Sequence, residues 1–274
     1  MGGILLMAAV AEAGPIQVHG HRGARAARPE NTMPAFLYAI EAGVDVLELD
    51  LAVTKDNVLV VSHDPLMNPA YCRGPEGTRV IREMTFAELQ KWDCGAKANA
   101  AYPQQKAVPG TRVPALDEVL GLAQRGKFEF NIETKIFRDR PQLTPSPEEF
   151  ARLLAAAIEK HGLVSRVMVQ SFDFRTLEAM KRILPKVRLS ALFGDKEKDY
   201  VGSGAKTGAG IVSPHYTLID AANVAAAHKA GMQVVPWTAN TAADWDRLIE
   251  AKVDAIITDD PAALIEHLKK RGLR

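Results

Sequence analysis

The chain has 274 residues, 47% of them hydrophobic and 24% charged, with a formal net charge of +1. That is ample apolar material for a core, and the near-neutral balance gives a nucleic-acid partner no support. No run reaches the roughly 20 apolar residues that a membrane-spanning helix needs, so no transmembrane segment is expected.

Ile4–Val10 is a short apolar run, and Ala11-Glu12-Ala13 has the small-x-small form of a cleavage site. This matches the tail of a secretory signal without its basic n-region. A periplasmic or secreted location is therefore expected ahead of a cytoplasmic one, with residues 1–15 as signal remnant or frayed terminus and 16–274 as one domain. Residues 16–21 read as a strand ending in Gly20-His21-Arg22-Gly23, where the glycines let the chain turn sharply. Thr32 suits the N-cap of a helix from Met33 to about Ala42, and Gly43 its C-cap. Val44–Val53 is a strand, Thr54-Lys55-Asp56-Asn57 a turn, and Val58–Ser62 a further strand that ends at His63-Asp64-Pro65.

Residues 66–113 break the pattern. They are rich in Pro, Gly, Arg and Asn, with one helical piece at Thr85–Trp92 that Thr85 and Glu88 could box. So long an irregular stretch reads as an insertion that caps a site, and its polar composition leans toward a small soluble substrate. Cys72 and Cys94 bracket its first half; in an oxidising compartment they would pair, and in the cytosol they would be free thiols.

Alternation then resumes. Strands are expected at Phe128–Thr134, Val167–Phe172, Leu189–Phe193, Ile211–Ser213, Gln233–Thr238 and Ala255–Thr258. Helices are expected at Leu116–Gln124, Pro147–His161, Phe174–Leu184, Ile219–Lys229, Ala243–Ala251 and Pro261–Lys270. Lys196–Gly210 is glycine-rich and yields no assignment. Such alternation implies parallel strands and right-handed crossovers. A (β/α)8 barrel, which commonly takes about 250 residues, is the expected fold, with Val58–Ser62 as an extra rim strand. An open doubly wound sheet is the alternative.

Functional residues of a barrel gather at the C-terminal strand ends. Here those ends carry His21, Arg22, Glu48, Asp50, His63, Glu133, Lys135, Gln170, His215 and Trp237. Glu48 and Asp50 share one face of an otherwise apolar strand. Buried together they repel unless a cation intervenes. With Glu133 they make an all-oxygen donor set, which suits Mg2+ or Ca2+. Arg22 and Lys135 could hold phosphate oxygens. His21 and His63 suit a base and an acid, each typically worth about 10²–10⁴-fold in rate. Sequence does not say which is which, nor whether water or a substrate hydroxyl attacks. A lone strand-end histidine is more often structural, and His215 is read that way, while His161 and His228, on helices, are read as surface residues.

HRG, PENT, ELD and HDP, in this order and spacing, resemble the glycerophosphodiester phosphodiesterase family. VPALDEVL, NIETK, VQSF, SPHY and PWTAN extend the resemblance over roughly residues 17–262, with Thr134 standing where the family often has an aliphatic residue. The resemblance implies a TIM-barrel hydrolase that releases sn-glycerol 3-phosphate and an alcohol from small glycerophosphodiesters. It implies His21 and His63 as the catalytic pair and Glu48, Asp50 and Glu133 as ligands of one divalent metal. Arg22 and Lys135 become phosphate contacts, and Trp237 an aromatic wall of the pocket. Other classes remain: a lysophospholipase D-type hydrolase of larger lipids, a lyase or isomerase using Lys135, or a non-catalytic metal- or phosphate-binding barrel.

Overall fold

The computed structural model describes residues 15–274, so the expected leader, apart from Pro15, lies outside the described residues. β1 (Gln17–Gly20) leads through α1 (Met33–Ala42) to β2 (Val46–Val53), and β3 (Leu59–Val61) folds back antiparallel on β2. The insertion carries α2 (Phe86–Leu89), and α3 (Leu116–Leu120) follows it. The chain then alternates through β4 (Glu129–Thr134), α4 (Pro147–Lys160), β5 (Val167–Ser171), α5 (Phe174–Ile183), β6 (Arg188–Phe193), α6 (Tyr200–Thr207) and β7 (Ile211–Pro214). It ends with α7 (Ala221–Lys229), β8 (Gln233–Val234), α8 (Ala242–Glu250), β9 (Ala255–Thr258) and α9 (Pro261–Lys270).

Eight parallel strands stand in the order β8-β7-β6-β5-β4-β2-β1-β9, with β3 outside that path. The two ends meet: Asp254 N donates to Val234 O at 3.0 Å and Ile257 N to Pro236 O at 3.0 Å. The sheet thus nearly closes into the expected (β/α)8 barrel.

The strands are apolar on both faces because helices cover the outside and side chains fill the inside. In β2, Leu47, Leu49 and Leu51 join the large outer core with Phe36 and Val119. On the inner face, Val46, Met168, Ile211, Val235, Ala255 and Ile257 form a smaller apolar floor. Above that floor the inward positions turn polar, and the site begins there.

Three local details differ from the sequence reading. Thr32 precedes α1 but does not cap it; its hydroxyl donates to Pro29 O instead. Gly43 does end α1, at φ 91°. The unassigned stretch contains α6, capped by Asp199 Oδ1 accepting from Gly202 N at 3.0 Å. Its glycines, which weaken a helix, hid it. Gly204 is set by packing, because a Cβ there would lie 2.3 Å from Val212 Cγ1. β8 itself covers only Gln233–Val234 of the expected Gln233–Thr238, although Val235 N still donates to Val212 O at 2.9 Å and Trp237 N to Pro214 O at 3.2 Å; Pro236 between them has no N–H to offer β9.

The insertion is less polar inside than its composition suggests. Met67, Cys72, Ile81, Met84, Leu89, Trp92, Cys94 and Val113 make a separate core seated on Val60 of β3. Thr85 and Glu88 form the capping box that their spacing predicts. Cys72 and Cys94 are disulfide-bonded, 22 residues apart in sequence.

A loop of that length loses about 3 kcal/mol of unfolded-state entropy when closed. The bond lies in the insertion's own core, so its contribution falls on the insertion rather than the barrel. Reductant should speed proteolytic cleavage within residues 66–113 by about a hundredfold while barely moving the urea midpoint of the barrel. Unchanged cleavage would contradict this assignment.

Candidate active site

The sharp turn after β1 sets the first part of the site. A Cβ on Gly20 would stand 2.2 Å from Gly23 O, and Gly23 sits at φ +85°. Arg22 itself is held at φ 50°, a left-handed conformation rare for side chains of this kind. The turn aims the Arg22 N–H at Glu48 Oε2, 2.8 Å away. It also places His21 over the barrel mouth.

Strand register brings in the carboxylates. β2 and β4 pair Glu48 with Asn131 and Asp50 with Glu133. Oxygens of Glu48, Asp50 and Glu133 all lie within 4.8 Å of one another, and all three side chains are buried. Gln170 Nε2 donates to Glu48 Oε1 at 2.9 Å, and Asn131 Nδ2 donates to Gln170 Oε1 at 3.0 Å. Asn31 Nδ2 donates to Asp50 Oδ2 at 2.9 Å. Lys135 Nζ bridges Asp50 Oδ1 at 3.0 Å and Glu133 Oε1 at 2.7 Å. The Arg22 guanidinium pairs with Glu30 Oε1 at 2.7 Å and approaches Asp50 Oδ2 at 3.2 Å.

Burial pushes the Glu48 carboxyl well above the usual range, and Asp50 adds to that. Burial acts the same way on Asp50, but Lys135 and Arg22 overcome it and hold Asp50 well below. Glu133 is raised by burial despite Lys135. Three carboxylates thus face two cations, and Glu48 touches neither side-chain charge directly. An oxygen-only donor set with that deficit fits a hard divalent cation, Mg2+ or Ca2+, better than a soft one.

The histidines flank this centre. His21 is buried, and its Nδ1 lies 2.5 Å from Asp259 Oδ1. Burial lowers the His21 pKa, more than Asp259 raises it, so the ring is neutral and its Nδ1–H donates to Asp259. Nε2 is left for the cavity that the ring lines. Asp259 is driven up by burial, yet His21, Arg25 and Tyr102 together hold it down at about 2. His63 is half-exposed, with Nδ1 2.8 Å from Asp64 Oδ1.

One cavity of about 210 Å³ is lined by His21, Arg22, Glu48, His63, Glu133 and Lys135 on its charged side. Phe172, Leu192, Trp237 and Ile257 form its apolar side. Trp237 is also packed, with Nε1 donating to Ser213 O at 3.0 Å and its ring edge-on to Phe172. Arg22 and Lys135 line the cavity while engaged with carboxylates. His215 bonds Thr217 and stacks near Tyr216. His161 and His228 pair with Asp117 and Asp254 on helical surfaces.

Sequence reasoning overlooked Asp259, Asn31, Glu30, Asn240 and Tyr102. Asp259 was within reach of the strand-end rule, since it follows β9 directly. Asn31 and Glu30 lie inside the PENT block. Tyr102 carries no local signal; only tertiary docking brings it to Asp259.

Fold and site together define a (β/α)8 barrel with an acidic centre and a histidine pair at its C-terminal rim. The chain belongs to the glycerophosphoryl diester phosphodiesterase family, whose model matches residues 21–263. A glycerophosphodiester phosphodiesterase of Caldanaerobacter subterraneus subsp. tengcongensis is 34% identical over 93% of this chain and 98% of its own length. One of Bacillus subtilis is 32% identical over 92% of this chain and 85% of its own. The solved structure of a candidate glycerophosphoryl diester phosphodiesterase from Silicibacter pomeroyi superposes with a TM-score of 0.87 at 29% identity, covering 94% of this chain and 95% of that one.

Two buried imidazoles set an acid limit on the fold. Burial lowers His19, inside the barrel, to about 3, and lowers His21 as well. An unfolded histidine titrates near about 6.5, so below that pH the unfolded chain binds protons that the folded one refuses. The stabilisation is complete above pH 6.5 and falls by about 1.4 kcal/mol per pH unit per ring on acidification, until the folded pKa is reached. His19→Asn should flatten the slope of urea stability between pH 6 and 4 by about that amount. An unaltered slope would contradict a neutral buried His19.

Proposed function

We propose that the protein hydrolyses small glycerophosphodiesters to sn-glycerol 3-phosphate and an alcohol. The carrying observation is that Glu48 and Glu133 line one cavity with His21 and His63, and that Asp50 lies within 4.8 Å of both carboxylates. The family and the names of its relatives support the reaction class. Glu48, Asp50 and Glu133 would hold one divalent cation, Mg2+ or Ca2+, which when bound would polarise a phosphoryl oxygen and offset developing charge.

His21 is the base in this reading. It is neutral, its tautomer is fixed by Asp259, and Nε2 can take the proton of the attacking hydroxyl. As the new P–O bond forms, the P–O bond to the leaving alcohol breaks. His63 gives its proton to that oxygen, its ring held by the Nδ1 contact with Asp64. His63 stands at the open side of the cavity, where an alcohol can leave. Arg22 and Lys135 lie where they can meet phosphate oxygens. The apolar wall of Phe172 and Trp237 can exclude water from one side of the substrate.

A small substrate is favoured over a long-chain lipid by the rim. Among the described residues, Phe172 and Leu273 are the exposed large hydrophobics, and a lipid-facing surface needs more. We also propose that the protein works in an oxidising compartment, the periplasm or outside the cell; the Cys72–Cys94 disulfide supports this.

Glycerophosphocholine with a coupled glycerol 3-phosphate dehydrogenase should report turnover that EDTA abolishes and Mg2+ or Ca2+ restores. No product with either metal would end the proposal. His21→Ala and His63→Ala should each lower kcat by about 10²–10⁴-fold with calorimetric metal binding retained. Glu48→Gln should weaken metal binding at least about tenfold, since it removes a charged ligand; unchanged affinity would remove Glu48 from the set.

A further inference from the structure

The loop from Gly95 to Val108 takes no part in the chemistry above, yet it reaches the support of His21. Its base is closed by Cys94 N donating to Thr111 O at 2.7 Å and Val108 N to Gly95 O at 2.9 Å. Its tip docks on the turn after β1. Lys106 N donates to Ala27 O at 3.1 Å, and Gln105 Nε2 to Arg25 O at 2.7 Å. From this docked tip, the Tyr102 hydroxyl donates to Asp259 Oδ2 at 3.0 Å.

We propose that Tyr102 is a positioning residue for His21, acting through Asp259, so that the insertion completes the acid–base apparatus of the barrel. The inference rests on His21 being the base. Asp259 has two oxygens to fix. Oδ1 faces His21, and Oδ2 accepts from Tyr102 and from Asn240 Nδ2 at 2.8 Å. Asn240 is tied to Asp259's own segment, because Asp259 N and Thr258 Oγ1 both donate to Asn240 Oδ1. It therefore moves with the carboxylate. Tyr102 is the donor that arrives from another structural unit and stops the carboxylate from rotating away from the ring.

The tyrosine is itself held. The Arg25 guanidinium lies over its ring, 4.9 Å from the centroid. Arg25 Nε also donates to Glu30 Oε2, and the other oxygen of Glu30 holds Arg22. Docking of the loop thus braces His21 through Asp259 and the Asp50 side through Arg22. Burial and the neighbouring Asp259 both raise the Tyr102 pKa, so the hydroxyl keeps its proton and remains a donor.

Tyr102→Phe keeps the ring and its cation contact and removes the donor alone. With glycerophosphocholine it should lower kcat about tenfold, the usual weight of a hydrogen bond to a charged group, while KM stays within about twofold, since Tyr102 does not touch the cavity. Cleavage of the insertion by protease should match the wild type. In an Asp259→Asn background the same change should have no further effect, because the two act as one unit. The His21 Nδ1 proton, read by NMR without turnover, should sit far downfield in the wild type and move upfield in Tyr102→Phe. An unshifted resonance, or the same fractional loss of kcat with and without Asp259, would overturn the proposal. If the wild type fails to turn over glycerophosphocholine, the reading of the reaction fails, and the resonance still decides the role of Tyr102.

Discussion

Three acidic side chains meet at the end of a parallel sheet, largely out of water. Burial alone would protonate them or drive them apart. Much of the surrounding structure answers this constraint. Lys135 stands between Asp50 and Glu133, and Arg22 reaches Asp50 after a backbone turn that a Cβ on Gly20 would block. Glu48 receives a backbone N–H and an amide instead of a full charge. The result is a centre in which three carboxylates face two cations, an oxygen donor set that suits a divalent cation.

The same logic extends downward. Glu48 is oriented by Gln170, Gln170 by Asn131, and Asn131 lies 3.5 Å from the neutral His19. This polar column passes through the barrel interior and ends near the apolar floor. Hydrogen-bonded amides carry orientation into the interior without carrying charge. The histidines are treated differently from each other. His21 is enclosed and backed by an interior carboxylate, whereas His63 stands at the half-open rim beside Asp64. Two identical side chains thereby sit in opposite environments.

The alternation of elements was legible because buried parallel strands are short, apolar and bounded by turns, and the helices between them are amphipathic. The carboxylates of β2 were legible for the opposite reason: charge in such a strand is anomalous and so informative. What stayed hidden depends on tertiary proximity. Nothing around Tyr102 distinguishes it from any loop tyrosine, and the apolar residues of the insertion are scattered without periodicity, so its separate core could not be foreseen. α6 was masked by its glycines, of which Gly204 is demanded by packing against Val212. Thr32 shows the limit of capping rules, since a nearby carbonyl outcompeted the helix for its hydroxyl.

The pairing of β2 with β4 has a consequence for assembly. Sliding one strand past the other by a single residue would turn Glu48 and Asp50 into the greasy layer beneath the helices and thrust three leucines into the lumen. There the carboxylates would meet no ammonium, amide or guanidinium, at a penalty of several kcal/mol each. The groups that strain the pocket in its proper arrangement make every neighbouring arrangement worse. Acidity placed for chemistry therefore doubles as a proofreader of strand alignment while the barrel forms.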